Sequence, residues 1–253
     1  MNQLNLTKFY SDSRRLAYNP ASLQVKRSGL RSLISYDDRF TTVAQHLERL
    51  IKSFNGEKLK ILDIGVGDGI YESILSDYFL GKVEFYGIDI SEKQLVRSKK
   101  YLKDFKIVDL NKESIPYGSG FFDIVIVSEI LEHVFYPEKV LNDSSRVLKN
   151  GGYLVLTYPN SGALQLRLSL FFTGHSPLLN YGQNKEHIRF FNKKDILDMI
   201  TSKVKITHYQ GLDSFLFGKW NFPIKIVTPR FLQVLGNRFL PGLALGNFMI
   251  FKK

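Results

Sequence analysis

Asp63, Gly65, Gly67 and Gly69 stand together in the stretch KILDIGVGDGIYESIL (60–75), where an apolar run stops at an acid and an amphipathic segment follows. A glycine-rich turn at such a junction lets a ligand approach backbone N–H groups with a helix start aimed at it. A dinucleotide pyrophosphate uses a loop of this kind, but its Gly-x-Gly-x-x-Gly pattern asks for glycine where this chain has Ile70. Asp63 and Asp68 also flank the turn with negative charge. That arrangement repels a pyrophosphate and attracts a cation.

S-adenosylmethionine, which carries an ammonium and a sulfonium, suits acids at this loop. Asp89, at the end of YGID, lies about 20 residues on, where a carboxylate can accept both hydroxyls of a ribose. Ser91 is the better helix cap nearby, which frees Asp89 for that task. Two further constellations hold titratable groups. SEILEHV (128–134) brings Glu129, Glu132 and His133 to the end of an apolar strand, and a histidine there can act as a base near neutral pH. In NKEHIRFFNKKDI (184–196), strand-like alternation puts His187 and Arg189 on one face, with Arg189 suited to a phosphate or carboxylate. No pattern of metal ligands stands out, and no metal is expected.

Elements that would position these residues alternate along the chain. Thr42 and Gln45 read as a capping box for a helix carrying Val43, Leu47, Leu50, Ile51 and Phe54, closed by Asn55-Gly56. KILDI, VEFYGID, FKIVD, FFDIVIV and YLVLTY read as strands. Helices are expected over 69–80, after Ser91, and from Pro137 to Asn150-Gly151-Gly152. This rhythm means a Rossmann-like, doubly wound, mostly parallel sheet of seven strands, with ligands at the carboxyl ends of its strands. KVKITHY and the final ALGNFMIF complete it, the last strand antiparallel and at the sheet edge. Residues 1–40 read as an N-terminal arm or cap, and 41–253 as the domain, with a lid insertion at 160–191 and a second insertion at 215–243.

The lid segment NSGALQLRLSLFFTGHSPLLN has one charge, Arg167, a candidate substrate contact; Leu164, Leu168, Phe171 and Phe172 share a helical face. In the second insertion Thr228-Pro229 starts a helix mixing Phe231, Leu232, Leu235 and Phe239 with Arg230 and Arg238. Both segments suit a cap over the pocket, or a face that meets anionic lipid. The 253 residues carry a net charge of +11, which favours anionic partners, and no cysteine, which excludes disulfides and thiolate chemistry. No apolar run resembles a signal peptide or a membrane span, so cytoplasmic residence is expected, with peripheral contact at the membrane face if the insertions touch lipid.

The sequence resembles the class I S-adenosylmethionine-dependent methyltransferases, especially the type 11 domain of quinone, lipid and glycan biosynthesis. LDIGVGDG (62–69), YGIDIS (86–91), VDLNKESIPYGSGFFDIVIVSEILEHV (108–134) and VLKNGGYLVLTYPN (147–160) carry the likeness. It implies that Asp63, Gly65, Gly67 and Gly69 hold the methionine end of S-adenosyl-L-methionine. Asp89 would bind the ribose, Ile90 pack on the adenine, Asp109 and Leu110 sit near its amino group, and Ser128 lie next to the methyl donor. His133 and His187 are then the candidate catalytic groups, and Glu129, Arg189 and Arg167 the candidate substrate contacts. Asp68 departs from the family, where a small residue is common. The expected acceptor is a small hydrophobic or lipid- or glycan-linked molecule. An RNA methyltransferase and a catalytically inactive binding subunit are the competing readings. SEIL replaces the Asn/Asp-Pro-Pro-aromatic motif of enzymes that methylate base amines, which makes nucleic acid the weaker partner.

Overall fold

The computed structural model describes residues 39–54, 58–76, 79, 81–174, 187–214 and 230–253. Nearly all of the expected arm, the second half of the lid (175–186), and 215–229 with Thr228-Pro229 lie outside the described residues. In chain order the elements are α1 (Arg39–Ser53), β1 (Leu59–Ile64), α2 (Ile70–Leu75), β2 (Val83–Asp89), α3 (Glu92–Ser98), β3 (Asp104–Ile107) and β4 (Phe122–Ser128). They continue with α4 (Pro137–Val147), β5 (Leu148–Pro159), α5 (Leu164–Thr173), α6 (Lys193–Met199), β6 (Lys205–Leu212), α7 (Arg230–Phe239) and β7 (Gly246–Lys252).

The seven strands form one sheet in the order β3-β2-β1-β4-β5-β7-β6. β1 to β5 pair in parallel, and β7 pairs antiparallel with both β5 and β6. β4 lies at the centre, and its residues Phe122 to Val127 are all buried, as expected of a strand covered on both faces. Val43, Leu47 and Ile51 of α1 pack with Tyr71 and Leu75 of α2 against Ile61, Ile124 and Val155 on one face. Val140, Leu141 and Val147 of α4 and Ile196 of α6 cover Leu62, Val125, Val127 and Leu156 on the other. No helix among the described residues is long and apolar enough to cross a membrane.

Local sequence rules explain several boundaries. Ser91 accepts the N–H of Gln94 to start α3, and Pro137 occupies the first turn of α4. Asn192 opens α6 with a full capping box, its side chain bonded to the N–H groups of Lys194 and Asp195 while Asp195 returns to the Asn192 N–H. Other expectations are corrected. Thr42 lies inside α1, which begins at Arg39, so Thr42 and Gln45 form no capping box. α2 ends at Leu75 with Ser76 as its C-cap rather than reaching 80. α4 passes at Leu148 straight into β5, so Asn150-Gly151-Gly152 belongs to the irregular start of a strand, where the pairing with β4 shifts register. In α5 the buried residue is Leu166, while Phe171 is 81% exposed and Phe172 is exposed beside it.

The last strand is antiparallel, but it is not the edge. β6 takes that place, and β7 fills the slot between β5 and β6. Phe248, Met249, Ile250 and Phe251 are buried there. Two asparagines secure this half of the sheet. Asn247 donates to the Pro241 carbonyl at 2.8 Å and accepts the hydroxyls of Tyr158 and Tyr209 at 3.2 and 3.3 Å. Asn160 donates to the carbonyls of Gly242 and Ala244 and accepts the Gly162 N–H.

Candidate active site

A cleft of about 190 Å³ opens at the carboxyl ends of β1, β2 and β4. Gly65, Gly67, Asp89, Ile90, Asp109, Leu110, Ser128, Glu129 and His133 line it, with Ile88, Gln94, Val108, Asn111, Ile130 and Val134. The first loop is shaped by its glycines. Gly65 has φ 74° and Gly67 has φ 53°, in the left-handed region that favours glycine. A Cβ on Gly65 would fall 2.0 Å from Ile130 Cδ1, so side-chain-free backbone is what lets Ile130 reach the wall of the cleft. Around Gly67 a Cβ would meet only the Gly65 carbonyl, at 3.9 Å, which leaves its backbone open to a ligand.

Asp89 ties the loop to the second strand. Its Oδ2 accepts the Gly67 N–H at 2.9 Å and its Oδ1 the Ser91 N–H at 2.8 Å. Each carboxylate oxygen keeps a further lone pair for a hydroxyl. Burial pushes the Asp89 carboxyl above its usual range, and the N–H bonds from Ser91, Gly67 and Ile90 oppose that shift. Across the cleft Asp109 Oδ1 accepts the Asn111 N–H at 3.1 Å, and Oδ2 pairs with Lys112 at 2.9 Å. Asn111 in turn accepts the Phe135 N–H at 2.7 Å, fastening the β3 and β4 loops together. Ile88, Ile90, Val108 and Leu110 make an apolar slot between the two acids.

Not every residue of the first loop meets the cleft. Asp63 is the next-to-last residue of β1 and is buried beside Glu72 of α2, which is itself fully buried. Burial and the charges of Glu72 and Asp89 hold the Asp63 carboxyl well above its usual range, and burial pushes Glu72 up to about 7. Gly69 is the N-cap of α2, where a Cβ would lie 2.8 Å from the Ser98 side chain, so it serves helix packing. Asp68 turns outward to Arg97 at 3.2 Å, so its charge is matched at the surface rather than presented to the cleft.

The far end of the cleft is built on the turn after β4. Ser128 Oγ shares hydrogen bonds of 2.9 Å with both the Tyr71 hydroxyl and the Thr157 hydroxyl. Glu129 adopts φ 55°, uncommon for a residue with a side chain. Its N–H bonds to the Thr157 carbonyl, and its carboxylate takes Arg39 Nη1 at 2.7 Å, so the start of α1 closes this rim. Glu132 is 1% exposed and sits 3.9 Å from the Nε2 atoms of both His133 and His187. His187 is brought there by the N–H groups of Ile188 and Arg189, which bond to the Glu132 carbonyl. Arg189 donates from Nη2 to the Phe135 carbonyl at 2.9 Å and is exposed. Arg167 is exposed on α5 and is not among the residues lining the cleft.

Sequence reasoning missed Glu72, Arg39, Tyr71 and Ile130. Only Glu72 left a signal: it shares the inward side of a short amphipathic helix with Tyr71 and Leu75, where a charged residue is out of place.

The parallel sheet with one antiparallel strand, the glycine turn after β1 and the acid ending β2 make the fold that solved class I S-adenosylmethionine-dependent methyltransferases share. Residues 62–156 match the family model described as a methyltransferase domain, of type 11. The chain is 32% identical over 164 residues to the mitochondrial ubiquinone biosynthesis O-methyltransferase of Candida albicans, covering 62% of this chain and 47% of that protein. It is 26% identical over 139 residues to the phosphatidylethanolamine N-methyltransferase of Cereibacter sphaeroides, covering 52% of this chain and 66% of that one. A solved S-adenosylmethionine-dependent methyltransferase from Archaeoglobus fulgidus shares the fold, with a TM-score of 0.55 and 18% identity over 85% of this chain and 94% of that one. The chain spans about half the length of the first curated relatives that it matches.

Proposed function

We propose that the chain binds S-adenosyl-L-methionine in this cleft and transfers its methyl group to a small hydrophobic or lipid- or glycan-linked acceptor. The carrying observation is the placing of two acids, Asp89 and Asp109, on either side of an apolar slot, with the open backbone of Gly65 and Gly67 at one end. That pattern fits the group: Asp89 to the ribose hydroxyls, Ile90 and Leu110 to the faces of the adenine, Asp109 to its amino group. Asp63, buried beneath the loop with Glu72, would support the glycine turn at the methionine end rather than touch the ligand.

The bound cofactor supplies a methyl carbon already activated by a sulfonium. The protein has to align the acceptor with it and exclude water. Ser128 and Glu129 form the wall at which the two meet. His133, with Glu132 and His187 behind it, is where a proton leaving an acceptor hydroxyl would be handled. Support for an apolar acceptor comes from the exposed Leu170, Phe171 and Phe172 of α5 and Phe231, Leu235 and Phe239 of α7. The relatives named for ubiquinone biosynthesis and for phosphatidylethanolamine point the same way.

Calorimetric titration with S-adenosylmethionine tests the site. Asp89→Ala removes two ribose bonds of the charged kind, so affinity should fall about 100-fold or more, at roughly 1.5–3 kcal/mol per bond. Unchanged affinity in that variant refutes the assignment. Cofactor-dependent mass gain in a lipid extract then identifies the acceptor. An RNA acceptor is the second reading, favoured by the net charge of +11. Steeply salt-dependent RNA affinity would select it.

A further inference from the structure

The geometry points to a divalent transition-metal site formed by Glu132, His133 and His187, at the acceptor end of the cleft. One ligand atom from each lies within 4.8 Å of the other two, and both Nε2–Oε1 separations are 3.9 Å. The imidazole rings meet edge to face, 4.8 Å apart at 77°, so their nitrogens can converge on a point beside the carboxylate. A cation bound at ~2.0–2.1 Å to each ligand separates them by about 3.3 Å, so the observed pairs need to close by roughly 0.5–1.5 Å through side-chain rotation.

Burial and backbone support distinguish this trio from a chance surface cluster. The Glu132 side chain is 1% exposed, His187 9% and His133 12%. The carboxylate and one imidazole share a short helical turn, Leu131–His133, whose backbone is closed by the His133 N–H bonding to Ile130. The second imidazole comes from 54 positions further along and is held by two N–H bonds to the Glu132 carbonyl, at 2.9 and 3.2 Å. Two imidazoles and one carboxylate are the donor set of zinc or ferrous iron rather than of magnesium or calcium. Three protein ligands leave a coordination position open, as in catalytic rather than structural sites. Because His133 also lines the cleft, that position faces the acceptor side. A histidine whose lone pair is on a metal cannot accept a proton, so the cation would take over from His133 the handling of an acceptor hydroxyl. The inference rests on the proposed function only for this last role, not for metal binding itself.

The test uses zinc ion alone, titrated into metal-stripped protein against a chromophoric chelator, with cofactor affinity measured in parallel. Cobalt substitution reports the donor set through its visible absorption. Wild type should bind one equivalent at micromolar affinity or tighter. His187→Ala and Glu132→Gln should each weaken zinc at least 100-fold while His187→Ala keeps its affinity for S-adenosylmethionine. His187→Ala decides the matter if Glu132→Gln fails to fold. Absence of saturable zinc binding in wild type, or equal zinc affinity in His187→Ala, overturns the proposal. Retained cofactor affinity in those samples shows that the methyl-donor site stands regardless.

Discussion

Glu72→Gln should make the cofactor-free protein more stable above neutral pH and change it little in acid. Glu72 is completely buried, on α2, against the Asp63 carboxyl. Burial raises it from an ordinary 4.5 to about 7 in the folded protein. Between those values the folded state holds a proton that the unfolded chain has released, so stability falls as pH rises through this window. The contribution is complete below pH 4.5 and lost once pH passes about 7. At ~1.4 kcal/mol per pH unit, an ionised Glu72 costs the folded state about 3 kcal/mol at pH 8. Glutamine keeps the shape, never ionises, and can donate its amide N–H to Asp63. The variant should therefore gain roughly 2–3 kcal/mol at pH 8, about 5–10 °C in Tm for a domain of this size, and lie within ~1 kcal/mol of wild type at pH 5. Urea unfolding at the two pH values measures both numbers. An equal effect at pH 5 and pH 8, or a loss at pH 8, refutes the idea that the Asp63–Glu72 pair shares burial strain through a proton.

Other perturbations read other parts of the molecule. Gly65→Ala drives a methyl into Ile130 and strains a left-handed residue, so both stability (by about 1–3 kcal/mol) and cofactor affinity should fall, checked by thermal unfolding and calorimetry. Gly67→Ala meets nothing closer than 3.9 Å and should cost only about 1 kcal/mol of stability while cutting cofactor affinity at least tenfold. Asn247→Leu leaves the Tyr158 and Tyr209 hydroxyls and the Pro241 carbonyl without their partner and should destabilise by about 2–4 kcal/mol in denaturant titration. Replacing Phe171 and Phe172 by serine should weaken sedimentation with anionic vesicles at least fivefold if α5 meets lipid, with no loss in Tm because both rings are exposed.

The parallel half of the sheet was legible because each of its strands is short, apolar and followed by a turn and a capped helix. Asp89 and Asp63 looked alike, each an acid ending a strand. Only the fold separates them, because Asp63 meets Glu72 beneath the loop, while Asp89 faces the cleft. The position of β7 was legible: FMIF (248–251) is a continuous apolar run, as suits a strand with neighbours on both sides, whereas KITHYQ mixes polar residues as an edge does. Arg39–Glu129 and Glu132–His187 join residues 90 and 55 positions apart. No local period records such meetings, since they depend on how loops at one end of the sheet come together.

Placing β7 between β5 and β6 also orders events in time. During synthesis β1 to β5 can zip up in sequence, but β6 emerges before its partner, since among the described residues its neighbour in the sheet is a strand made about 40 residues later. Until residues 246–252 arrive, β5 and β6 both present bare edges. The chain thus passes through a state with one unpaired strand, β6, and one bare edge on β5, the stage at which pairing with another copy competes with completion.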